Sequence, residues 1–301
     1  MPEIDTGSAT IHYDTHGDPA AEAVLLVHGL GAQMTLWDPS FIAAIVDRGY
    51  QVVRFDNRDV GLSSKTEEPP PDLLPLVMAA LGGQEPKVDH YTLSDMADDA
   101  IAVLDALGID RAHVVGASMG GMISQTIAID HPERVASLTS IMSTTGDATV
   151  GQAQGDTLMQ LMAPVPDDRD SAIERSVQIG RHISGPHFDE VRARELAAFH
   201  YDRCFHPIGV AHQMVAVIAS GNRTDALRQI DVPTVVIHGV LDPLVTLSGG
   251  EATAAAVPGA ELVTFDDMAH DLPEIHWPAV VDAIVGVAQR GSLEVPAAPE
   301  R

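Results

Sequence analysis

The stretch Val114-Val115-Gly116-Ala117-Ser118-Met119-Gly120-Gly121 carries the strongest structural signal in this chain. An apolar strand pattern runs into G-x-S-x-G, and a helical pattern follows from about Met119 to His131. In this context the serine must occupy a tight strand-to-helix turn, where small residues at 116 and 120 allow close approach of neighbouring backbone. The turn exposes the Ser118 hydroxyl at the carboxyl edge of a sheet, with the helix N-terminus behind it. The stretch therefore predicts a nucleophilic serine, with a purely structural glycine–serine turn as the alternative.

Strand and helix patterns alternate on both sides of this turn, which indicates parallel crossover units and an α/β sheet. The predicted strands lie at 9–15, 23–28, 50–55, up to 115, 135–141, 232–238 and 261–265. The predicted helices lie at 38–48, 92–107, 119–131, 247–257 and 276–289. Two N-terminal signals mark helix starts, Asp38-Pro39 and the pair Thr92 and Asp95. We expect residues 66–91 to be irregular, because the segment is rich in proline.

The alternation stops at about residue 145, and only helical patterns occur until about 228. The sheet pattern resumes afterwards, so we interpret 145–228 as a helical cap inserted in a core formed by 1–144 and 229–290. An independent second domain is the weaker alternative. Residues 291–301 have two prolines and no periodicity, which predicts a flexible tail.

Composition excludes several classes of protein. The chain has 301 residues, of which 45% are hydrophobic, enough for a sizeable core and too many for a disordered chain. The formal net charge of −26 repels nucleic-acid phosphates and anionic lipid headgroups, so we expect no nucleic-acid partner. No apolar run is long enough for a membrane span, and no signal peptide is evident. We expect a cytoplasmic protein without integral membrane contact.

The sequence gives little reason to expect a metal or a cofactor. The single cysteine, Cys204, excludes an internal disulfide and a cysteine-only metal site. The 14 histidines include no HExxH pattern, and His200 and His206 are best interpreted as surface and loop residues. We therefore expect no metal and no cofactor.

A nucleophilic serine needs a histidine base that is oriented by a carboxylate. The downstream strand ends present Asp242, after the run Val235 to Gly239, and His270, after Phe265. The chain order of Ser118, Asp242 and His270 is the one expected for a sheet with a nucleophile elbow. Asp266 and Asp267 are rivals in sequence, but they lie too near His270 on one short loop to orient it easily. A surface histidine and a turn-capping aspartate are the alternatives.

The glycine-containing run His28-Gly29-Leu30-Gly31 follows a strand and predicts an oxyanion hole. Its turn lets the Leu30 N–H point inward, and the Met119 N–H at the helix start supplies a second donor. Two such donors stabilise the charge of a tetrahedral intermediate, each by roughly 3 kcal/mol. Phosphate binding is the alternative, but neither G-x-x-x-x-G-K-[ST] nor a G-x-G-x-x-G pattern followed by an acid is present.

Taken together, these motifs resemble those of the α/β-hydrolase superfamily, in its capped esterase, lactonase and perhydrolase-like branch. The matching stretches are 28–31, 56–63, 116–121, His238-Gly239 with Asp242, and 267–270. The resemblance implies a mostly parallel eight-stranded sheet flanked by helices, with the cap over the site. It also implies the roles given above to Ser118, Asp242, His270, Leu30 and Met119, and only a bracing role for 56–63. Epoxide hydrolases and dehalogenases of this fold have an aspartate at the elbow, so the serine argues against both.

Six apolar side chains are candidates for the substrate pocket: Trp37, Met159, Met162, Phe199, Phe205 and Met214. For Trp37 a buried core position is the alternative. For the others, which have helical spacing, packing is the alternative.

We expect a cofactor-independent serine hydrolase that cleaves a carboxylic ester, thioester or lactone of a small to medium, largely apolar substrate. The alternatives are a cofactor-free perhydrolase or haloperoxidase, a carbon–carbon bond hydrolase with the same triad and, least favoured, a non-catalytic ligand receptor. The expected partner is a small-molecule ester, and the sequence leaves a homodimer open.

Overall fold

A computed structural model describes residues 2–81 and 88–293. Eight strands form one sheet in the order β1-β2-β4-β3-β5-β6-β7-β8. Strand β2 pairs antiparallel with β1 and β4, and all the other neighbouring strands pair in parallel. The strands are β1 (Glu3–Asp5), β2 (Thr10–His16), β3 (Ala23–Val27), β4 (Gln51–Phe55), β5 (Ala112–Ala117), β6 (Val135–Ile141), β7 (Thr234–Gly239) and β8 (Glu261–Phe265). The predicted α/β fold with a mostly parallel eight-stranded sheet is confirmed.

Eleven α-helices lie within the described residues. They are α1 (Pro39–Val46), α2 (Leu73–Leu81), α3 (Leu93–Leu107), α4 (Met119–Asp130), α5 (Thr157–Met162), α6 (Arg169–Ile183), α7 (Glu190–Arg203), α8 (Ile208–Ala219), α9 (Thr224–Leu227), α10 (Leu247–Ala256) and α11 (Trp277–Leu293). Short 3₁₀ turns at Met34–Leu36, Pro132–Arg134 and Glu274–His276 complete the secondary structure of this part of the chain.

The predicted capping residues at the starts of α1 and α3 form their capping hydrogen bonds. The Asp38 side chain accepts a hydrogen bond from the Ser40 N–H at 2.7 Å, which caps α1. The Thr92 N–H donates to Asp95 Oδ2 at 2.7 Å, so the capping box at the start of α3 is formed. Both helices are therefore fixed at the predicted ends.

The structure differs from the sequence prediction in parts of two segments expected to be irregular. Residues 73–81 form helix α2 although Pro75 lies within them. The proline occupies the first turn, where its missing N–H would have no intrahelical acceptor, so it does not break the helix. Helix α11 continues to Leu293, so the first residues of the predicted tail are helical, and residues 294–301 lie outside the described part.

Two apolar clusters cover the two faces of the sheet. Alternation along β3 sends Leu25 and Val27 to the cluster that contains α3 and α4. It sends Val24 and Leu26 to the cluster that contains α1 and α11. Full burial of each such side chain contributes about 1.5–3 kcal/mol. The strand ends that carry polar residues are therefore held on a rigid, doubly covered sheet.

Between β6 and β7, residues 142–233 contain five helices and no strand, as the sequence predicts for 145–228. Helices α6 and α7 pack against each other, and α8 packs against α2. None of the helices in the described ranges is both long and apolar enough to cross a membrane.

Candidate active site

Ser118 occupies a strained turn between β5 and α4. Its backbone angles are φ 58° and ψ −122°, in a region that few residues other than glycine adopt. Such a conformation costs about 1–3 kcal/mol and persists only where its surroundings enforce it. The Ser118 N–H donates to the Ile141 carbonyl at 2.9 Å, which ties the turn to the end of β6. The elbow is therefore held in place by the sheet itself.

The two glycines that flank the elbow are required by close backbone packing. A Cβ atom at Gly116 would lie 2.0 Å from the Gly120 carbonyl oxygen. A Cβ atom at Gly120 would lie 2.1 Å from the carbonyl oxygen of Val27, at the end of β3. No side chain fits at either position, as the G-x-S-x-G pattern predicts.

Three of the predicted site residues form one hydrogen-bonded line. His270 Nε2 lies 2.9 Å from Ser118 Oγ, and His270 Nδ1 lies 2.7 Å from Asp242 Oδ2. The three residues follow β5, β7 and β8, so the carboxyl ends of parallel strands bring them together. The rival Asp267 instead contacts His187 and His276.

The surroundings of Asp242 fix its carboxylate as an acceptor. Its Oδ1 accepts hydrogen bonds from the N–H groups of Leu244 and Val245, at 2.9 and 2.8 Å. The side chain is fully buried, and Oδ2 is left for the Nδ1–H of His270. With Nδ1 protonated, Nε2 of the neutral imidazole can accept the proton of Ser118.

The loop after β3 brings the predicted oxyanion donors to the same place. Gly29 lies against Ser118, since a Cβ atom built on it would be 3.0 Å from Ser118 Cβ. Within the described residues, the N–H groups of Leu30 and Met119 have no hydrogen-bond partner in the protein. Two free donors beside the Ser118 hydroxyl are what an oxyanion formed there would require.

These features match those of a known family. A family model described as the alpha/beta hydrolase fold matches residues 22–173, which is half of the chain. The chain belongs to the α/β-hydrolase fold family. The resemblance inferred from the motifs is thereby confirmed, and with it the expectation of a hydrolase.

Several proteins are similar to this α/β hydrolase over nearly their whole length. Rhodomycin D methylesterase DnrP from Streptomyces peucetius is 29% identical, over 91% of this chain and 94% of its own. The structure of the 2-hydroxy-6-oxo-6-phenylhexa-2,4-dienoate hydrolase BphD from Rhodococcus sp. strain RHA1 has a TM-score of 0.73 at 20% identity, covering 95% of this chain and 97% of that one. The enol-lactonase from Burkholderia xenovorans LB400 has a TM-score of 0.71 at 19% identity, covering 96% and 100%. These two structures share the fold.

A residue that the sequence did not single out, Gln213 in α8, holds the loop of this hydrolase that carries Leu30. Its side-chain oxygen accepts a hydrogen bond from the Gly31 N–H at 2.8 Å. Its amide nitrogen donates to the Arg58 carbonyl at 2.8 Å, and the side chain is fully buried. Helical periodicity alone could not have found it, because it requires the fold to bring residue 213 beside residue 31.

Asp56 has the bracing role that the resemblance implied. It is fully buried and accepts hydrogen bonds from the N–H groups of Met34 and Leu62, both at 2.8 Å. The guanidinium of Arg203, at the end of α7, lies 2.7 Å from its Oδ2. Arg203 also donates to Gln33 Oε1 at 2.6 Å. The loop after β3 is thus joined to the loop after β4 and to α7.

Three other histidines near the elbow have lowered pKa values. Burial, with smaller contributions from the charges of His200 and His270, lowers the pKa of His28 to about 3. Its Nδ1 accepts a hydrogen bond from the Gly29 N–H at 2.7 Å. Burial and the nearby Arg203 lower the pKa of His200 to about 4. The Nε2–H of His238, next to Asp242, donates to the Val245 carbonyl at 2.7 Å, and burial lowers the pKa of this imidazole as well.

The six pocket candidates lie in different environments. Trp37 is buried in the core, where its ring lies 4.8 Å from that of His28. Phe205 is half-buried against Tyr201, and Met162 and Met214 are also half-buried. Met159 and Phe199 are exposed. Trp37 therefore lies in the core, and pocket roles for all six stay predictions.

Proposed function

We propose that this α/β hydrolase cleaves carboxylic esters by way of an acyl-enzyme on Ser118. The observation that carries the proposal is the hydrogen-bonded line from Asp242 through His270 to Ser118 Oγ. It couples a strained, accessible hydroxyl to a base whose tautomer is set by a buried carboxylate.

The first half of the reaction follows from this geometry. Ser118 Oγ attacks the ester carbonyl carbon while His270 Nε2 takes its proton. The carbonyl oxygen becomes an oxyanion, which the Leu30 and Met119 N–H groups stabilise. Collapse of the tetrahedral intermediate breaks the carbon–oxygen bond, and the imidazolium gives its proton to the leaving alcohol. Asp242 stabilises the imidazolium throughout without taking its proton.

The second half repeats these steps with water. His270 removes a proton from a water molecule as it attacks the acyl carbon of the Ser118 ester. The oxyanion forms again beside the same two donors, and Ser118 leaves with the proton held by His270. The acid is released and the free enzyme is restored, so no cofactor is required by this sequence of steps.

We propose further that residues 145–228 act as a cap that limits the substrate to a small or medium, largely apolar ester. Three contacts between this segment and the loops around the site support this role. Arg203 pairs with Asp56, Gln213 accepts a hydrogen bond from the Gly31 N–H, and the Ile183 carbonyl accepts one from the His270 N–H. The relative DnrP is named a methylesterase and matches nearly the whole chain. Methyl esters of apolar acids are therefore the first substrate class to test.

An ester panel tests the proposal. Methyl esters of apolar acids and p-nitrophenyl esters from acetyl to palmitoyl would be compared with Ser118→Ala as the blank. Ser94→Ala, an exposed serine on α3, is the matched control. We expect turnover by the wild-type and Ser94→Ala proteins, with short and medium acyl groups favoured, and none above the blank for Ser118→Ala. Turnover of no ester, together with peroxide-dependent bromination, would show a perhydrolase instead.

A further inference from the structure

Two histidines and one aspartate meet beside the loop that carries His270. His187 Nε2 lies 2.6 Å from Asp267 Oδ2, and His276 Nε2 lies 2.8 Å from Asp267 Oδ1. The three atoms that could act as ligands lie within 4.8 Å of one another. Nitrogen and oxygen ligands of Zn²⁺ lie about 2.0–2.2 Å from the ion. A small rearrangement would bring all three to one ion, with each imidazole carrying its proton on Nδ1 and exchanging its hydrogen bond to Asp267 for a bond to the metal.

The donor set of this cluster suits a divalent transition-metal ion. Imidazole nitrogens favour Zn²⁺, Cu²⁺, Ni²⁺ and Fe²⁺, and two imidazoles with one carboxylate leave positions open for water. An aspartate carboxylate offers the oxygen ligand that completes this set.

Packing positions these side chains while leaving room for water. The His276 ring lies 4.4 Å from the Phe265 ring and 5.8 Å from the His187 ring, both measured between centroids. The side chain of His276 is 13% exposed, whereas those of His187 and Asp267 are 32% and 48% exposed. An ion held by the three residues would thus have one side open to solvent.

We propose that His187, Asp267 and His276 bind one Zn²⁺ or similar ion, which stabilises the structure and takes no part in the chemistry at Ser118. His187 follows α6, within the segment 145–228, whereas Asp267 and His276 flank the His270 loop. The ion would join these two parts of the chain. Two hydrogen bonds already join them, from His270 N–H to the Ile183 carbonyl and from Gly185 N–H to Asp271 Oδ2.

A calorimetric titration tests the site independently of any esterase activity. Untagged protein, treated with chelator and then dialysed, would be titrated with ZnCl₂ near pH 7.5. We expect one ion per chain and a higher melting temperature with Zn²⁺, since the ion binds the folded state. His187→Asn and His276→Asn should each weaken binding at least about tenfold and abolish the rise in melting temperature.

The controls separate this site from adventitious binding by other histidines. His131→Asn removes a surface histidine that pairs with Asp98 at 2.8 Å, away from the cluster, and should leave the titration unchanged. The metal-free melting temperature of His187→Asn, the more exposed of the two ligand variants, shows whether that variant is folded. The absence of saturable Zn²⁺ binding, or equal binding by a folded His187→Asn protein, would overturn the proposal.

Discussion

Gln213 of α8 accepts a hydrogen bond from the Gly31 N–H at 2.8 Å, next to the residue whose own N–H is free beside Ser118. A helix of the segment 145–228 thereby fixes the loop that we propose as half of the oxyanion hole. The buried side-chain amide of Gln213 thus connects the segment 145–228 to the proposed oxyanion hole, and it also donates to the Arg58 carbonyl. Substitutions in α8 should therefore alter the catalytic rate even where the substituted side chain does not contact the substrate.

Substituting Gln213 tests that coupling. Gln213→Met keeps the length of the side chain but removes both hydrogen bonds, so Leu30 loses its fixed position. We expect kcat to fall by about tenfold or more, because small misplacements of catalytic groups cost this much, with a smaller change in KM. Gln178→Met, at an exposed position on α6, is the matched control. Equal kinetics for the two variants would show that the loop is held without Gln213.

Asp242→Asn tests the role of the buried carboxylate. The asparagine has nearly the same shape, but it carries no charge and does not enforce the tautomer with a proton on Nδ1. We expect kcat to fall by about 10⁴-fold, as in triads of this kind, with a melting temperature close to that of the wild type. Steady-state kinetics on the best ester measures the loss. A fall of less than tenfold would mean that another group orients His270.

The ion pair between Arg203 and Asp56 should matter for stability. Arg203→Met leaves the fully buried Asp56 carboxylate without its cation, which costs about 3–5 kcal/mol in comparable cases. The double variant Arg203→Met/Asp56→Asn should recover part of this loss in a urea unfolding experiment. Arg169→Met is the control, because its partner Asp202 is exposed and such pairs contribute about 1 kcal/mol or less. Equal losses for Arg203→Met and Arg169→Met would contradict the bracing role.

The half-buried histidines His28 and His200 predict that stability falls in acid. Burial lowers the pKa of His28 to about 3 and that of His200 to about 4, whereas both titrate near 6.5 in the unfolded chain. Below pH 6.5 the unfolded chain therefore binds protons that the native protein does not. Each histidine then lowers the free energy of unfolding by up to about 1.4 kcal/mol per pH unit, until its native pKa is reached. Urea unfolding at pH 7, 6 and 5 measures the slope, which His200→Gln should reduce. A slope unchanged in that variant would contradict the assignment.

The sheet and the line of site residues could be predicted from sequence because their signals are local. Apolar runs of five or six residues, the elbow glycines and the order Ser118, Asp242, His270 all lie within short stretches. Strand β1 was missed because it has only three residues and two of them are acidic. Helix α2 was not predicted because its segment is rich in proline. Pro75 lies in the first turn of this helix, where proline is tolerated.

Contacts between distant parts of the chain could not be predicted. The hydrogen bond between Gln213 and Gly31 spans 182 residues, and the contact between His187 and Asp267 spans 80. No periodicity or motif marks such pairs, because they exist only once the helices have packed on the sheet. The pocket side of the helices depends on the same packing, which is why Met159 and Phe199 could not be placed from their spacing.

The most direct test of the central claim, that Ser118 is the nucleophile, is intact-protein mass spectrometry after reaction with a fluorophosphonate. The reagent phosphonylates a serine only where an adjacent base activates it. We expect one adduct per chain, located at Ser118 by peptide mapping, absent from Ser118→Ala and strongly slowed in His270→Ala. Absence of an adduct from the folded wild-type protein, or equal labelling of Ser118→Ala, would contradict the account.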